Sequence, residues 1–418
     1  MPGISDLLWI ISSFVLTALS HIFFSHGPDF SGGAFYITFV MAYSLVVFVL
    51  HKKNLLKNSG PKGFYFFLGC LIIFAGSPLF ENDHFRYLWE GKVFISGFNP
   101  YLHAPDSVEL AHIPFIGKEF IGFKTLTSIY PPLALIWFGL GAELLLLMGL
   151  NALLVFFLFK RLRVWQVSPF HLALAFPYLQ KEFIGAIHID LLAFMLVFLS
   201  ISATKNMTGF KSLLLIGLSY WVKLLGIIAL PLLLLKKENR NKRFYAVAAL
   251  IVLSLPLGLY FLIGDFKSMT GPSAFGANWV WMPGFYTILT RVLGVVSTTA
   301  RTLSLVGFLL YFLMLVFYWG FKNKNQTDFP LHFLYLFFLG FMFFSPVYNA
   351  WYAIWFLGLA LLGKRTYGVL YAVFSCWCYL AYGNKSLIPL GEFMAHLFFP
   401  LALWEMSFLS FSVSKKNP

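Results

Sequence analysis

Apolar stretches about as long as a lipid bilayer is thick recur from one end of this chain to the other. Twelve such runs stand at 5–24, 34–50, 64–79, 142–160, 167–180, 187–203, 244–263, 303–320, 330–346, 351–363, 367–383 and 393–411. A backbone in hydrocarbon must satisfy its own polar groups, so each run is read as a helix. The expected fold is all-α: a polytopic integral membrane protein of about 12 transmembrane helices. Composition agrees. Hydrophobic residues make up 60% and charged residues 11% of the chain, against about 25% charged in soluble domains. That excludes a soluble enzyme, a disordered chain and a disulfide scaffold. The first run lacks a basic leader and a clear cleavage site and is read as a retained helix.

The net charge of +14 would suggest a polyanion partner in a soluble protein. Here it sets orientation. Twenty basic residues, in clusters from Lys52/Lys53 to Lys415/Lys416, fall on one set of connections, and nine fall on the other. The positive-inside rule puts the richer set and both termini in the cytoplasm, and no nucleic acid is expected. Residues 212–235 lie between two basic clusters, Lys205/Lys211 and Lys236–Arg243, so a single span there would invert everything after it. A re-entrant helical hairpin with Lys223 near its tip, or two short spans, keeps the parity. The chain is read as one integral membrane domain, 1–418, expected to be a monomer.

Eleven of the 16 acids then fall outside the cytoplasm, several of them in the longest non-membrane stretch, 80–130. Longer outer loops explain such clustering, and so does an outward-facing catalytic surface. A loop of this length is usually functional or disordered, and interleaved Phe, Tyr, Trp and Ile argue against disorder. Its start carries a helix signal. Asn82 or Asp83 is placed to cap, and Asp83, Arg86, Tyr87 and Glu90 share one face. A carboxylate at a helix N-terminus stays ionised, as a general base requires. An arginine one turn on can hold a phosphate. A capped surface helix with an ion pair would show the same pattern.

The segment from Asp83 to Pro105 resembles the first outer loop of the GT-C class of membrane glycosyltransferases. It is most similar to that of the bacterial polyprenol-phosphate-mannose-dependent mannosyltransferases. The matching residues are Asp83, Arg86, Tyr87, Trp89, Glu90, Gly91, Lys92, Val93, Gly97, Asn99, Pro100, Tyr101, Ala104 and Pro105, with Tyr130-Pro131-Pro132-Leu133 on the return. The resemblance implies a GT-C-like fold with a long catalytic first outer loop and Asp83 as the catalytic base.

Three further constellations are candidates. Lys181, Glu182, His188 and Asp190 sit at the mouth of two short helices, and the family segment there is Glu, five residues, His-x-Asp. His188-x-Asp190 is half a metal site with no second ligand cluster, so no metal is expected. Lys223 lies in an apolar run, where a lysine is a functional hypothesis by default. It is placed to approach a donor phosphate or to pair with Glu143, unless it snorkels. Ser345–Tyr352 also looks like the family. Where some relatives place a histidine that assists the base, this chain has Asn349, which cannot take a proton. Trp279 and Trp281 suit sugar stacking or an interfacial belt. Cys376 and Cys378 read as packing, and no nucleotide-binding motif is present.

The resemblance thus implies transfer of a hexose, mannose by analogy, from a polyprenyl-phosphate-linked donor to the hydroxyl of a lipid or glycan acceptor. The place is the outer face of a bacterial inner membrane, the outcome inversion, and no cofactor is expected. Arg86, Tyr87, Lys92, Lys181, His188 and Lys223 would bind the donor's phosphate and sugar. Glu81, Glu90, Asn99, Tyr101, Tyr130, Glu182, Asp190, Asn349, Trp351 and Tyr352 would hold the acceptor or support the site. A secondary transporter or flippase is the rival reading. Against a transporter, no second copy of the Asp83–Pro105 pattern exists.

Overall fold

The structure, a computed structural model, describes residues 2–23, 30–57, 60–141, 143–202, 209–230, 248, 270–322 and 329–408. The expected span 244–263 apart from residue 248, residues 231–235 of the hairpin, and the basic clusters Lys236–Arg243 and Lys415/Lys416 lie outside them.

The described residues are all-helical, without a β-strand; an isolated bridge joins Trp281 and Val347. Among the described residues, five helices are long and apolar enough to cross a membrane: Ile4–Phe23, Ser31–Lys52, Leu144–Val164, Ser297–Tyr318 and Lys385–Glu405. Counting Phe176–Gly185 with Asp190–Ile201 as one broken span makes six. The sequence suggested about twelve. Several of the other apolar runs fold as short or interrupted helices. Gly63–Phe74 has 12 residues, or about 18 Å of helix, short of a hydrocarbon core of roughly 30 Å. The run 367–383 divides into Thr366–Phe374, a 3-10 turn Ser375–Tyr379, and Leu380–Gly383. Apolar content fixes burial but not helix continuity.

The chain forms two compact units. The first comprises Met1–Phe80, Val155–Gly185 and Val280–Pro418. Its core is aromatic. Trp9 is fully buried, donates its indole N–H to the Phe66 carbonyl at 3.1 Å, and is ringed by Phe66, Phe159 and Phe176. An indole N–H in an apolar interior needs such a partner.

The second unit comprises Glu81–Leu154 and Ala186–Trp279 and carries the long loop that runs to residue 130. The loop opens with the Asp83–Ile95 helix, which packs on Pro132–Leu140. The two backbones touch at Gly91, where a Cβ would stand 2.4 Å from the Phe138 carbonyl carbon. Behind the helix the loop has its own small core of Trp89, Val93, Leu110, Ile113 and Ile121, flanked by Phe85, Phe98 and Phe115. Lys118 lies over the Trp89 ring at 4.4 Å and donates to the Leu110 carbonyl. Burial of these side chains gives an ordered loop, as the aromatic interleaving suggested.

In the same unit Asp190–Ser202 runs antiparallel to Gly209–Val222. Ser200 and Ser212 each donate a hydroxyl to the other's carbonyl, and Ser219 donates to the Ala193 carbonyl at 2.7 Å. Small hydroxyl residues that let helices approach and bond are a recurrent device in apolar bundles. At Lys223 the helix stops. That residue is extended (φ −150°, ψ 129°) and a 3-10 turn, Leu224–Ala229, follows.

Candidate active site

The second unit gathers twelve of the sequence candidates: Glu81, Asp83, Arg86, Tyr87, Glu90, Lys92, Asn99, Tyr101, Tyr130, His188, Asp190 and Lys223. Lys92 is in the last helical turn, about 13 Å along the axis from Asp83.

Asp83 is the first residue of its helix and is half-buried. Its carboxylate makes no hydrogen bond among the described residues. Burial raises its pKa above the ordinary carboxylate value. His188, Arg86 and Lys223 pull it down and Glu81 pushes it up. The helix N-terminus was expected to keep this group acidic; desolvation outweighs that. Asn82 holds the N-cap position, but its side chain makes no capping bond; it donates instead to the Phe120 carbonyl at 2.7 Å.

Arg86 is not placed as the sequence suggested. Nε donates to Glu90 Oε1 at 2.7 Å. Nη1 donates to the carbonyls of Gly122 (3.1 Å) and Phe123 (2.8 Å), and Nη2 to those of Leu126 (2.7 Å) and Thr127 (3.0 Å). A guanidinium has five N–H donors, and all five are used, so none remains for a phosphate. Arg86 is a clamp that ties residues 122–127 to the Asp83 helix. Glu90 is equally occupied: its second oxygen accepts from Ser128 Oγ, and Ser128 Oγ accepts from the Tyr130 amide. Ser128 was not singled out from the sequence, although it lies two residues before the return motif. Asn99 Oδ1 accepts from the Tyr101 amide at 2.9 Å. The Tyr101 hydroxyl donates to the Tyr130 carbonyl at 2.6 Å, so these three close the loop on itself.

Around Asp83 stand the groups of the second segment. Tyr87 is buried, stacks on Phe138 at 4.8 Å and bonds His188 Nδ1 at 3.0 Å. Burial, and then the neighbouring Tyr130 and Asp83, push the Tyr87 hydroxyl well above its usual pKa, so it stays protonated. His188 Nε2 faces Glu81 at 3.9 Å. His84, packed beside Phe85, is held neutral by burial, its pKa lowered to about 4. Lys223, with a fifth of its side chain exposed, donates to the buried Asp190 at 2.8 Å. The partner proposed from the sequence, Glu143, is instead exposed and precedes the Leu144–Val164 helix, its carbonyl accepting from Leu146 and Leu147. Ile187, next to His188, has φ 54°, and Phe123 has φ 53°. A β-branched residue is strained there.

The remaining candidates belong to the first unit. Lys181, expected on a donor phosphate, is buried in a π-helical turn, Gln180–Gly185. It pairs with Glu182 at 3.3 Å and donates to the Tyr379 hydroxyl, which donates to Glu182 at 2.8 Å. Asn349 precedes a 3-10 turn, Ala350–Ala353, that contains Trp351 and Tyr352, and the Tyr178 hydroxyl donates to the Ala350 carbonyl.

The second unit thus presents a desolvated carboxylate, bonded to no group among the described residues, beside an imidazole and an ammonium. That set can take a proton from a hydroxyl and stabilise a departing anion. Residues 72–237 match the model of the MptA_B family, alpha-(1->6)-mannopyranosyltransferase, N-terminal domain. The matched stretch contains Asp83, the whole 80–130 loop, the His188-x-Asp190 segment and Lys223. No curated protein and no solved structure matches the chain. The match bears out the resemblance to GT-C-like mannosyltransferases. With the apolar helices, it makes the chain a membrane glycosyltransferase.

Proposed function

We propose that this chain transfers mannose from a polyprenyl-phosphate-linked donor to an acceptor hydroxyl, with inversion, at the outer face of a bacterial inner membrane. Asp83 is the general base. The observation that carries this reading is the state of its carboxylate: raised in pKa, bonded to no described group, and on the helix the loop is built around. A raised pKa makes the ionised form a better proton acceptor.

In the reaction Asp83 takes the acceptor's hydroxyl proton as that oxygen bonds to the sugar's C1. The bond from C1 to the phosphate oxygen breaks on the opposite face, and the electron pair leaves with the lipid phosphate. A phosphate leaving group needs little acid assistance, so one carboxylate serves where glycoside hydrolysis uses two. Lys223 supplies positive charge to the departing phosphate, and the His188 ring offers it an N–H. Asp190 orients Lys223, and Tyr87 orients His188. Arg86, Glu90 and Ser128 fix the loop. The orientation supports the same reading: nucleotide sugars are cytoplasmic, so an outward-facing site calls for a lipid-linked donor. Both termini then lie in the cytoplasm.

The test is direct. Purified protein in nanodiscs receives radiolabelled polyprenyl-phosphate-mannose and a mannoside acceptor, and the product's anomeric configuration is read by NMR. The expected product is an α-linked mannoside from a β-linked donor. Donor consumption without a glycoside product would overturn the reading, as would retention of configuration.

A further inference from the structure

The segment that Arg86 clamps displays an aromatic pair. Phe123 is 60% exposed and stands in the left-handed region, φ 53°, where a bulky side chain is disfavoured. An aromatic residue held in a strained backbone conformation and presented to solvent contributes little to folding, and such strain concentrates at functional sites. Its ring meets that of Trp279 at 4.2 Å with the planes 58° apart. The two residues come from distant parts of the chain, and each is held by more than this contact. The Phe123 carbonyl accepts from Arg86 at 2.8 Å, and Asn82 holds the neighbouring Phe120 carbonyl. On the other side the Thr127 amide donates to Thr270 Oγ1 and the Gly271 amide to Thr127 Oγ1, both at 3.3 Å. A Cβ at Gly271 would stand 2.1 Å from the Thr127 carbonyl oxygen, so the helix that ends before Trp279 seats directly on this segment.

Asn82 and Arg86 flank Asp83 on its own helix. The residues that hold the aromatic pair are therefore those that bracket the base, and the pair's position is fixed relative to Asp83. Resting on the reading above, we propose that Phe123 and Trp279 form the platform on which a pyranose ring of the acceptor stacks. It would hold the ring while a hydroxyl is presented to Asp83. Sugar C–H faces pack on aromatic faces, and such rings fix orientation without charge. Asn278, exposed beside Trp279, supplies a partner for ring hydroxyls. The acceptor class this selects is a glycan or glycolipid with at least one accessible pyranose, in preference to an aliphatic alcohol.

The probe is methyl α-1,6-mannobioside, with the full chain in nanodiscs. Saturation-transfer NMR reads binding without turnover, and transfer kinetics read KM for acceptor and donor separately. Phe123→Leu and Trp279→Ala are expected to weaken mannobioside binding and raise acceptor KM about five- to tenfold, the scale of one aromatic contact. Donor KM should hold. Trp279→Phe, which keeps a ring and guards against misfolding, is expected to bind within about twofold of the parent. Several outcomes overturn the platform: no saturation transfer to the parent protein, unchanged binding in both variants, or a change confined to membrane retention, which would mark an interfacial anchor. A parent that binds the mannobioside but transfers nothing would instead overturn the transferase reading and leave the platform standing.

Discussion

Replacing Arg86 by glutamine separates a clamp from a phosphate ligand. The Arg86 side chain is 12% exposed and that of Glu90 3%, at 2.7 Å. Breaking a buried pair by removing one partner costs about 3–5 kcal/mol, because the other charge is left uncompensated. Four backbone carbonyls of 122–127 also lose a charged donor. Water replaces some of these bonds, and Glu90 keeps Ser128, so about 3 kcal/mol is the working figure. That opens the loop roughly a hundredfold more often. Hydrogen–deuterium exchange in nanodiscs reads this at the Leu126 and Ser128 amides, which bond the Phe123 and Pro100 carbonyls. Arg86→Gln should speed both by about two orders of magnitude. Arg86→Gln/Glu90→Gln should recover part of the loss, because the orphaned carboxylate is gone. Acceptor KM should rise while donor KM holds. If exchange stayed unchanged while donor KM rose tenfold, Arg86 would be a phosphate ligand and the clamp wrong.

Further outcomes follow from the same geometry. The acid limb of kcat/KM should have its midpoint above the ordinary carboxylate range of about 4, because burial raises the Asp83 pKa and only the ionised form accepts a proton. The sign for stability is opposite. A carboxylate whose folded pKa is raised binds more protons folded than unfolded, so its ionisation costs stability as pH rises through that window. Asp83→Asn should therefore unfold at a temperature equal to or above the parent's at pH 7, read by thermal denaturation. Lys223→Met strands the buried Asp190 and should destabilise by about 3–5 kcal/mol, with Lys223→Met/Asp190→Asn recovering most of it in the same assay. Gly91→Ala forces a Cβ against the Phe138 backbone and should cost about 1–3 kcal/mol by denaturant titration.

The part of this site that could be read from the sequence is the part written in local pattern. The Asp83 helix showed in its cap position and spacing, the ordered loop in its interleaved aromatics, and Lys223 as a charge in an apolar run. The partners were not legible. Arg86 ends on backbone carbonyls 36 to 41 residues away, and carbonyls carry no residue-type signal. Lys223 finds Asp190 across an antiparallel helix pair whose register depends on Ser200, Ser212 and Ser219. Lys181 and Tyr379 meet from 198 residues apart. Helix continuity was not legible either, because apolar composition does not distinguish one continuous helix from several short ones, as Thr366–Gly383 illustrates.

The central claim is that Asp83 takes the acceptor's proton, and one substitution tests it most directly. Asp83→Asn keeps the shape and removes the basic oxygen. Purified in nanodiscs beside the parent, with unfolding temperature and loop exchange as folding controls, it should bind polyprenyl-phosphate-mannose normally. Its transfer rate should fall by at least about 100-fold, the least a positioned general base contributes. Transfer by Asp83→Asn at the parent's rate would contradict the assignment.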